Sequence, residues 1–484
     1  MRARGEAEEL LAGLAGRLAG LRVCVNGLGI SGVPVARALA ARGALVTALD
    51  ARDDEANREV AGELAGLGVS VELTGDPRLP AGTELVVTTP GWRPGTPVVA
   101  AAADAGIPVI GDVELAWRLR PALADGARQA WLGVTGTNGK TTTVRMLAAM
   151  LGAAGQRSVA AGNVGLPIIE AVTEPEPYPV LAVELSSFQL HWSLSLRPLA
   201  AVVLNVAAHH LDWHGDIEAY ARAKGRIYAP GTVAVCNADD ARTRELAALA
   251  PGTARVVAFR LGAPGPGELG VAGEVLLDRA FGSDPAGVEL AGVADVRPRA
   301  PHNVADALAA AALARAYGVP AEAIRAGLTA FQPEPHRMSL VASVGGVDYV
   351  DDSKASNPHA AAAALASYPS VVWIAGGLFR GAEADLDLLV GSVAPRLRGA
   401  VLLGADRDVI ARALARHAPD VPVVEAVRTD TGAMDLVVAE AARLAGPGDT
   451  VLLAPAAQSF DMFPNYPARG DAFAAAVGRL AASR

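Results

Sequence analysis

The sequence predicts an α/β protein in which three successive series of strands and helices build three domains with mostly parallel sheets. Three observations carry this expectation. An apolar run over residues 21–26 enters the turn Gly27-x-Gly29-x-x-Gly32 and a helical pattern follows. A second run, 130–132, enters the glycine turn 133–139 and again gives way to a helix. Beyond residue 346, four apolar runs (347–350, 371–374, 401–403 and 450–453) alternate with helical stretches. Parallel strands joined this way line up their C-terminal caps along one sheet edge, where open α/β sheets bind ligands.

The first series spans residues 1–126. After Gly32 the helix runs to Ala41, and the strand 44–49 ends at Asp50, about 20 residues past the turn. That is a Rossmann-like βαβ unit. The glycine motif alone is weak support for NAD. It indicates that a phosphate-bearing nucleotide can lie on the turn, with Asp50 near its base or ribose. Strands follow at 85–89 and 107–110, and Thr89 opens a Pro-Gly loop at a strand end. The polar stretch 124–128 marks the end of the domain.

The second series spans 127–332. Gly136-Thr137-Asn138-Gly139-Lys140-Thr141-Thr142 has the layout of a phosphate-binding loop, with Val134 where the full Walker form has glycine. The backbone amides and the helix N-terminus would face an anion. Lys140 can reach outer phosphates and Thr141 can sit on Mg²⁺. Glu184 closes the buried strand 180–183, just before Ser186, and a carboxylate there can hold Mg²⁺. Asn163 lies in the turn 161–167, and His210 and Asp212 follow the strand 201–206. Lys224 lies on the next helix. A bare ammonium there would repel Mg²⁺, whereas a carbamylated lysine would bind it; an ion pair with Glu218 or Asp212 is the alternative. Residues 263–296 read as short strands without a motif.

The third series spans 333–484, after the proline-broken linker 331–335. Its strand ends carry Asp352, Lys354 and Ser356, then Arg380, then Ser459, Phe460 and Tyr466.

Composition narrows the function classes. A net charge of −9 excludes a general nucleic-acid binder. Neither a signal peptide nor a membrane-spanning run is expected, so a cytoplasmic protein without membrane insertion is. Cys24 and Cys236 read as buried thiols. Of 42 lysines and arginines only Lys140, Lys224 and Lys354 are lysine. A lysine kept in such an arginine-rich chain points to amine chemistry or a compact charge.

Gly136-Thr-Asn-Gly-Lys-Thr, Gly162-Asn-Val-Gly, Glu184-Leu-Ser-Ser-Phe-Gln, His210-Leu-Asp212 and Lys224 follow one another as in the Mur ligase family, which the chain resembles over nearly its whole length. The resemblance implies an ATP-binding central domain and a Rossmann-like third domain. It implies one Mg²⁺ near Thr141 and Glu184, and a second held by His210 and a carbamylated Lys224. The first domain would bind the UDP part of a substrate: Ile30, Ser31, Asp50 and Arg52 at uracil and diphosphate, Thr89 along the muramoyl path. Asn163 and Ser186 join the substrate residues. Asn303 would touch adenine, while Asp306 stands where the family often has a second asparagine. Arg337, Asp352 and Lys354 would meet ATP, and Ser356, Arg380, Ser459, Phe460 and Tyr466 would hold the incoming amino acid. Arg380 replaces a common lysine.

The reaction implied is ATP-dependent peptide synthesis through an acyl phosphate, with Lys140, Glu184, His210, Lys224 and Lys354 as the catalytic set. The runs 352–357 and 459–466 favour D-glutamate as acceptor and UDP-N-acetylmuramoyl-L-alanine as its partner substrate, joined by a monomeric enzyme of peptidoglycan precursor synthesis. Alternatives are another Mur ligase, a folylpolyglutamate synthase, an NAD-dependent oxidoreductase and a non-catalytic nucleotide-binding protein.

Overall fold

Runs of buried Val, Leu and Ala, each ended by a glycine or polar cap, form three sheets in the computed structural model, which describes residues 4–428, 430 and 432–482. The first sheet contains β1 (Arg22–Asn26), β2 (Leu45–Asp50), β3 (Ser70–Leu73), β4 (Leu85–Thr88) and β5 (Val109–Gly111). Its order is β3-β2-β1-β4-β5, all parallel. The strand order reverses at β1, which opens a crevice above its C-terminal end. There the turn lies tight against the helix Gly32–Ala40. A Cβ on Gly32 would come 1.8 Å from the Gly27 carbonyl oxygen, so only glycine fits. A Cβ on Gly29 would meet nothing within 4 Å, leaving that stretch of backbone open to a ligand.

The second sheet contains β6 (Ala130–Thr135), β7 (Ser158–Gly162), β8 (Val180–Glu184), β9 (Ala200–Val203), β10 (Val233–Asn237), β11 (Arg255–Phe259), β12 (Glu268–Ala272), β13 (Val275–Asp278) and β14 (Val288–Gly292). Its order is β14-β13-β12-β11-β10-β9-β6-β8-β7. The strands from β7 to β12 are parallel; β13 and β14 extend the sheet antiparallel and account for the motif-free stretch. β6 sits between β8 and β9, so the glycine turn that follows it emerges where the order reverses.

The third sheet contains β15 (Ser339–Val344), β16 (Val347–Asp351), β17 (Val371–Gly376), β18 (Leu397–Leu403), β19 (Val423–Glu425) and β20 (Thr450–Leu453), in the order β15-β16-β20-β17-β18-β19. The parallel strands of the reading are present, but β15 and β19 were not anticipated, and β15 pairs antiparallel with β16.

The chain divides into two compact units: residues up to Asp295 with Ala305–Phe331, and Val296–Val304 with the chain from Gln332 onward. The first two sheets share the first unit because one buried cluster links them, from Val23, Val25 and Val87 to Leu181 and Val183. Polar contacts add to it. Gln189 Nε2 donates to Asp112 at 3.3 Å, and Glu114 accepts from the Ser195 hydroxyl at 2.6 Å. Both cysteines are buried in strands, and burial pushes the Cys24 thiol up to about 12 and Cys236 to about 11. Among the described residues no helix is long and apolar enough to cross a membrane.

Candidate active site

The glycine turn after β6 is shaped by its own backbone. Gly139 has φ of 82°, a left-handed conformation that costs glycine nothing, and it caps the helix Lys140–Ala153. A side chain there would also strike Asp306, whose Oδ1 lies 2.3 Å from the Cβ position. The helix N-terminus brings partial positive charge to the turn. Lys140 folds back, donating from Nζ to the carbonyls of Gly136 at 3.0 Å and Thr137 at 2.9 Å. Thr142 follows half-buried in the first helical turn.

Beside the turn, the carboxylate of Glu184 is 1% exposed. Its Oε2 accepts from the Thr141 hydroxyl at 2.9 Å and its Oε1 from Asn163 Nδ2 at 2.8 Å. A buried anionic oxygen pair next to a hydroxyl is a donor set suited to a hard divalent cation. Ser186 caps the short helix Ser187–His191, its oxygen accepting from the Gln189 amide at 3.2 Å.

Lys224 is 1% exposed and reaches the same turn from the helix Ile217–Gly225. Its Nζ donates to the Gly136 carbonyl at 2.7 Å and lies 4.5 Å over the Tyr220 ring. Lys140 uses that same carbonyl, so the two nitrogens are no more than about 6 Å apart, a distance at which buried like charges repel. Burial above all, then Lys140, hold the Lys224 amine well below the ordinary lysine range; Glu184 only partly opposes them. The alternative ion pair is absent: Glu218 is bonded to Arg242, and Asp212 to Arg93 at 2.8 Å.

His210 enters the short helix Leu211–His214 with φ of 55° and is exposed. Its ring sits 4.8 Å from Phe188 and 3.8 Å from His209. Desolvation, with the charges of Lys224 and Lys140, lowers its pKa against the pull of Asp212, and burial drives His209 down to about 3 and His214 to about 4. These imidazoles are neutral at pH 7, the form that binds metal. Among the described residues no three of His, Cys, Asp and Glu converge as a metal cluster.

In the first sheet's crevice, both oxygens of Asp50 are engaged. Leu28 N donates to Oδ2 at 2.9 Å and Arg52 N to Oδ1 at 2.9 Å, with Arg52 Nε at 3.3 Å. Burial works to raise this carboxyl, but those bonds and the guanidinium outweigh it and hold it below the usual range. Ile30 stands 87% exposed on the turn, the Thr89 hydroxyl donates to the Asn26 carbonyl at 3.2 Å, and Ser31 lies beside Asp112.

The second unit holds the remaining residues, several of them on strand-end loops. Lys354 Nζ lies 4.1 Å over the Tyr466 ring, and its backbone amide donates to His336 O at 3.2 Å. His336 Nδ1 is 2.6 Å from Asp351 Oδ2. Burial pushes the Asp352 carboxyl up to about 7, against Arg337, and its Oδ1 accepts from Met338 N at 3.3 Å. Arg337 is bonded to Glu334 at 3.0 Å, and Asn303 to the Pro298 carbonyl at 3.1 Å. Ser459 is buried, Ser356 half-buried, and Arg380 and Phe460 exposed.

Comparison with known proteins bears on this geometry. The family descriptions "Mur ligase MurD-like, N-terminal domain", "Mur ligase middle domain" and "Mur ligase, glutamate ligase domain" match residues 21–111, 134–314 and 336–457 in turn. A UDP-N-acetylmuramoylalanine–D-glutamate ligase of Thermobifida fusca is 61% identical over 469 residues, covering 96% of this chain and 99% of its own. The chain belongs to the Mur ligase family. A ligase of the same name from Streptomyces avermitilis is 59% identical over the same shares of both chains. A pseudomurein peptide ligase type C of Methanothermus fervidus superposes with a TM-score of 0.58 at 16% identity, over 95% of this chain and all of that one, which speaks to fold alone.

Three residues of this Mur ligase escaped the sequence reading. Asn205, just after β9, accepts at Oδ1 from the Thr137 and Asn138 amides at 3.1 and 2.9 Å and donates from Nδ2 to the Asn138 carbonyl at 3.2 Å. The Tyr220 hydroxyl lies 3.2 Å from Thr137 Oγ1. Arg469, on the helix Tyr466–Ala482, is buried among the strand-end loops of the second unit. Asn205 could have been suspected from its place at a strand end. Arg469 carried no signal in so arginine-rich a chain.

Proposed function

We propose that this Mur ligase joins D-glutamate to UDP-N-acetylmuramoyl-L-alanine with ATP, in cytoplasmic peptidoglycan precursor synthesis, working as a single chain with domains at 1–126, 127–332 and 333–484. The observation that carries the reading is the meeting of Lys140 and Lys224 on one carbonyl beside the Thr141–Glu184 pair. The family matches and the 61% identical ligase support the choice of substrates.

A carboxylate is a poor electrophile at pH 7. Its oxygen attacks the γ-phosphorus of ATP, the bond to the bridging oxygen breaks, and ADP leaves. The D-glutamate amine then attacks the acyl carbon, and the tetrahedral adduct expels inorganic phosphate to leave an amide. Gly136–Thr142 and Lys140 cradle the triphosphate, and Lys354 balances charge on the phosphoryl group in transit. Mg²⁺, when bound, neutralises phosphate oxygens; Thr141 and Glu184 suit one ion, and His210 with a carbamylated Lys224 a second. Carbamylation adds CO₂ to a neutral amine and releases one proton, and burial shifts the Lys224 amine toward that neutral form. Asn303, Arg337 and Asp352 serve ATP. Ile30, Ser31, Asp50, Arg52, Thr89, Asn163 and Ser186 serve the UDP substrate, and Ser356, Arg380, Ser459, Phe460 and Tyr466 serve D-glutamate. Arg380 matches a carboxylate bidentately.

The test is phosphate release with ATP, Mg²⁺ and UDP-N-acetylmuramoyl-L-alanine against a panel of amino acids and a reduced folate. Release is expected with D-glutamate and not with L-glutamate. No release under any combination would end the proposal, and release with another acceptor would move it to a sister enzyme.

A further inference from the structure

The residues assigned to the acceptor follow three strands, β16, β17 and β20, and no side chain among them bonds all three stretches together. One buried side chain does. Arg469 is 1% exposed. Its Nε donates to Ser353 Oγ at 3.0 Å and its Nη2 to the Ser353 carbonyl at 2.8 Å. Its Nη1 faces the carbonyls of Ala457 at 3.1 Å and Gly376 at 3.5 Å. Ser353 immediately precedes Lys354, Gly376 begins the turn that leads to Arg380, and Ala457 lies two residues before Ser459. The Ser353 hydroxyl in turn donates to the Tyr466 carbonyl at 2.8 Å, closing the ring onto Arg469's own helix.

No carboxylate among the described residues is in ion-pair contact with this guanidinium; Asp461 and Asp351 act on it only at longer range. Burial lowers it only to about 10, so it stays charged at neutral pH. A buried cation is costly unless its donors are satisfied. Here the planar fork is matched to carbonyls of three loops, a geometry that lysine cannot reproduce. Backbone pairing completes the lock: Leu378 and Gln458 exchange bonds of 2.8 and 3.0 Å. A Cβ on Gly377 would lie 2.1 Å from the Gln458 carbonyl oxygen.

We propose that Arg469 is the positioning residue of the acceptor subsite: it spaces the loops bearing Lys354 and Ser356, Arg380, and Ser459 and Phe460 without itself touching the amino acid. This rests on the D-glutamate reading above. Loosening the loops weakens capture of the acceptor more than binding of the UDP substrate, whose assigned residues all lie in the first unit.

The test compares wild type with Arg469→Lys and Arg469→Gly in steady-state phosphate release. Arg469→Lys is expected to raise the KM for D-glutamate roughly 10- to 100-fold, the scale of a few lost charge-assisted bonds. The KM for the UDP substrate should stay within about threefold, an ordinary scatter for an unrelated site. Free guanidinium should restore D-glutamate affinity to Arg469→Gly. Ser353→Ala removes the Nε acceptor and the hydroxyl's bond to the Tyr466 carbonyl but leaves the Nη bonds, and should shift the same constant in the same direction by a smaller factor; it decides the matter where the position-469 variants fail to fold. An unmoved D-glutamate KM, or all KM values moving alike, overturns the proposal. Wild-type protein that releases no phosphate with D-glutamate overturns the functional reading, and this inference with it. Active wild type with an unmoved D-glutamate KM in the variants overturns this inference alone.

Discussion

Asn205→Ala is the sharpest probe of the triphosphate site. The side chain makes three bonds to the turn, two accepted from the Thr137 and Asn138 amides and one donated to the Asn138 carbonyl. At a net contribution of about 1 kcal/mol each, their loss destabilises the turn by roughly 2–3 kcal/mol. The backbone bond from Thr137 N to Asn205 O, at 3.0 Å, survives and limits the damage. Since 1.4 kcal/mol is tenfold, the affinity for Mg²⁺-ADP should fall roughly 30- to 100-fold. Calorimetric titration of nucleotide measures this directly, and hydrogen exchange at Thr137 and Asn138 should speed up in the free protein. D-Glutamate affinity should not move. Nucleotide affinity within a factor of about two of wild type, well under the scale of a single lost bond, would refute the argument that Asn205 preorganises the turn.

Lys224→Arg should abolish activity, and Lys224→Ala should recover part of it with added acetate. Wild-type rates in Lys224→Arg would remove the carbamate. Asp352 keeps its proton to about pH 7 in the folded chain and loses it near 3.8 when unfolded, so its contribution to stability is lost as pH rises between those values. Asp352→Asn should therefore stabilise the second unit by roughly 2–4 kcal/mol above pH 7 and by nothing below about pH 4, read by urea unfolding at both pH values. A gain equal at both would contradict the assignment. Gly29→Ala has room for its methyl group and should fold normally, yet bind UDP more weakly by equilibrium dialysis, because the methyl occupies the open face of the turn. Unchanged UDP binding would remove the nucleotide from that turn.

The readable part of this chain was its strand ends. Gly27–Gly32, Gly136–Thr142, Glu184 and Lys354 each come at the end of a buried apolar run, so periodicity placed each at the C-terminal edge of its own sheet before any coordinate did. What stayed hidden depended on contacts across sequence. β15 carries Ser339 and Ser343 and is only partly buried, so its pattern resembles a loop. β19 is three residues long. Asp50 was placed by its distance from the glycines, but that spacing could not show that Leu28 and Arg52 would occupy its oxygens. Helical proximity suggested Glu218 or Asp212 as partners for Lys224; Arg242 and Arg93 take them instead, and the amine is left to a carbonyl and a ring. Arg469 reads like any surface arginine of an amphipathic helix, and only the packing of three loops around it gives it a role.

The lysines offer a practical handle. Lys224 is sealed from solvent, and Lys140 and Lys354 are half-buried where phosphates are expected to lie. Apart from the α-amino group, an acylating reagent therefore meets no bystander amines on this protein. The extent of labelling would count vacant centres, and protection by added nucleotide would titrate them without radioactivity or turnover.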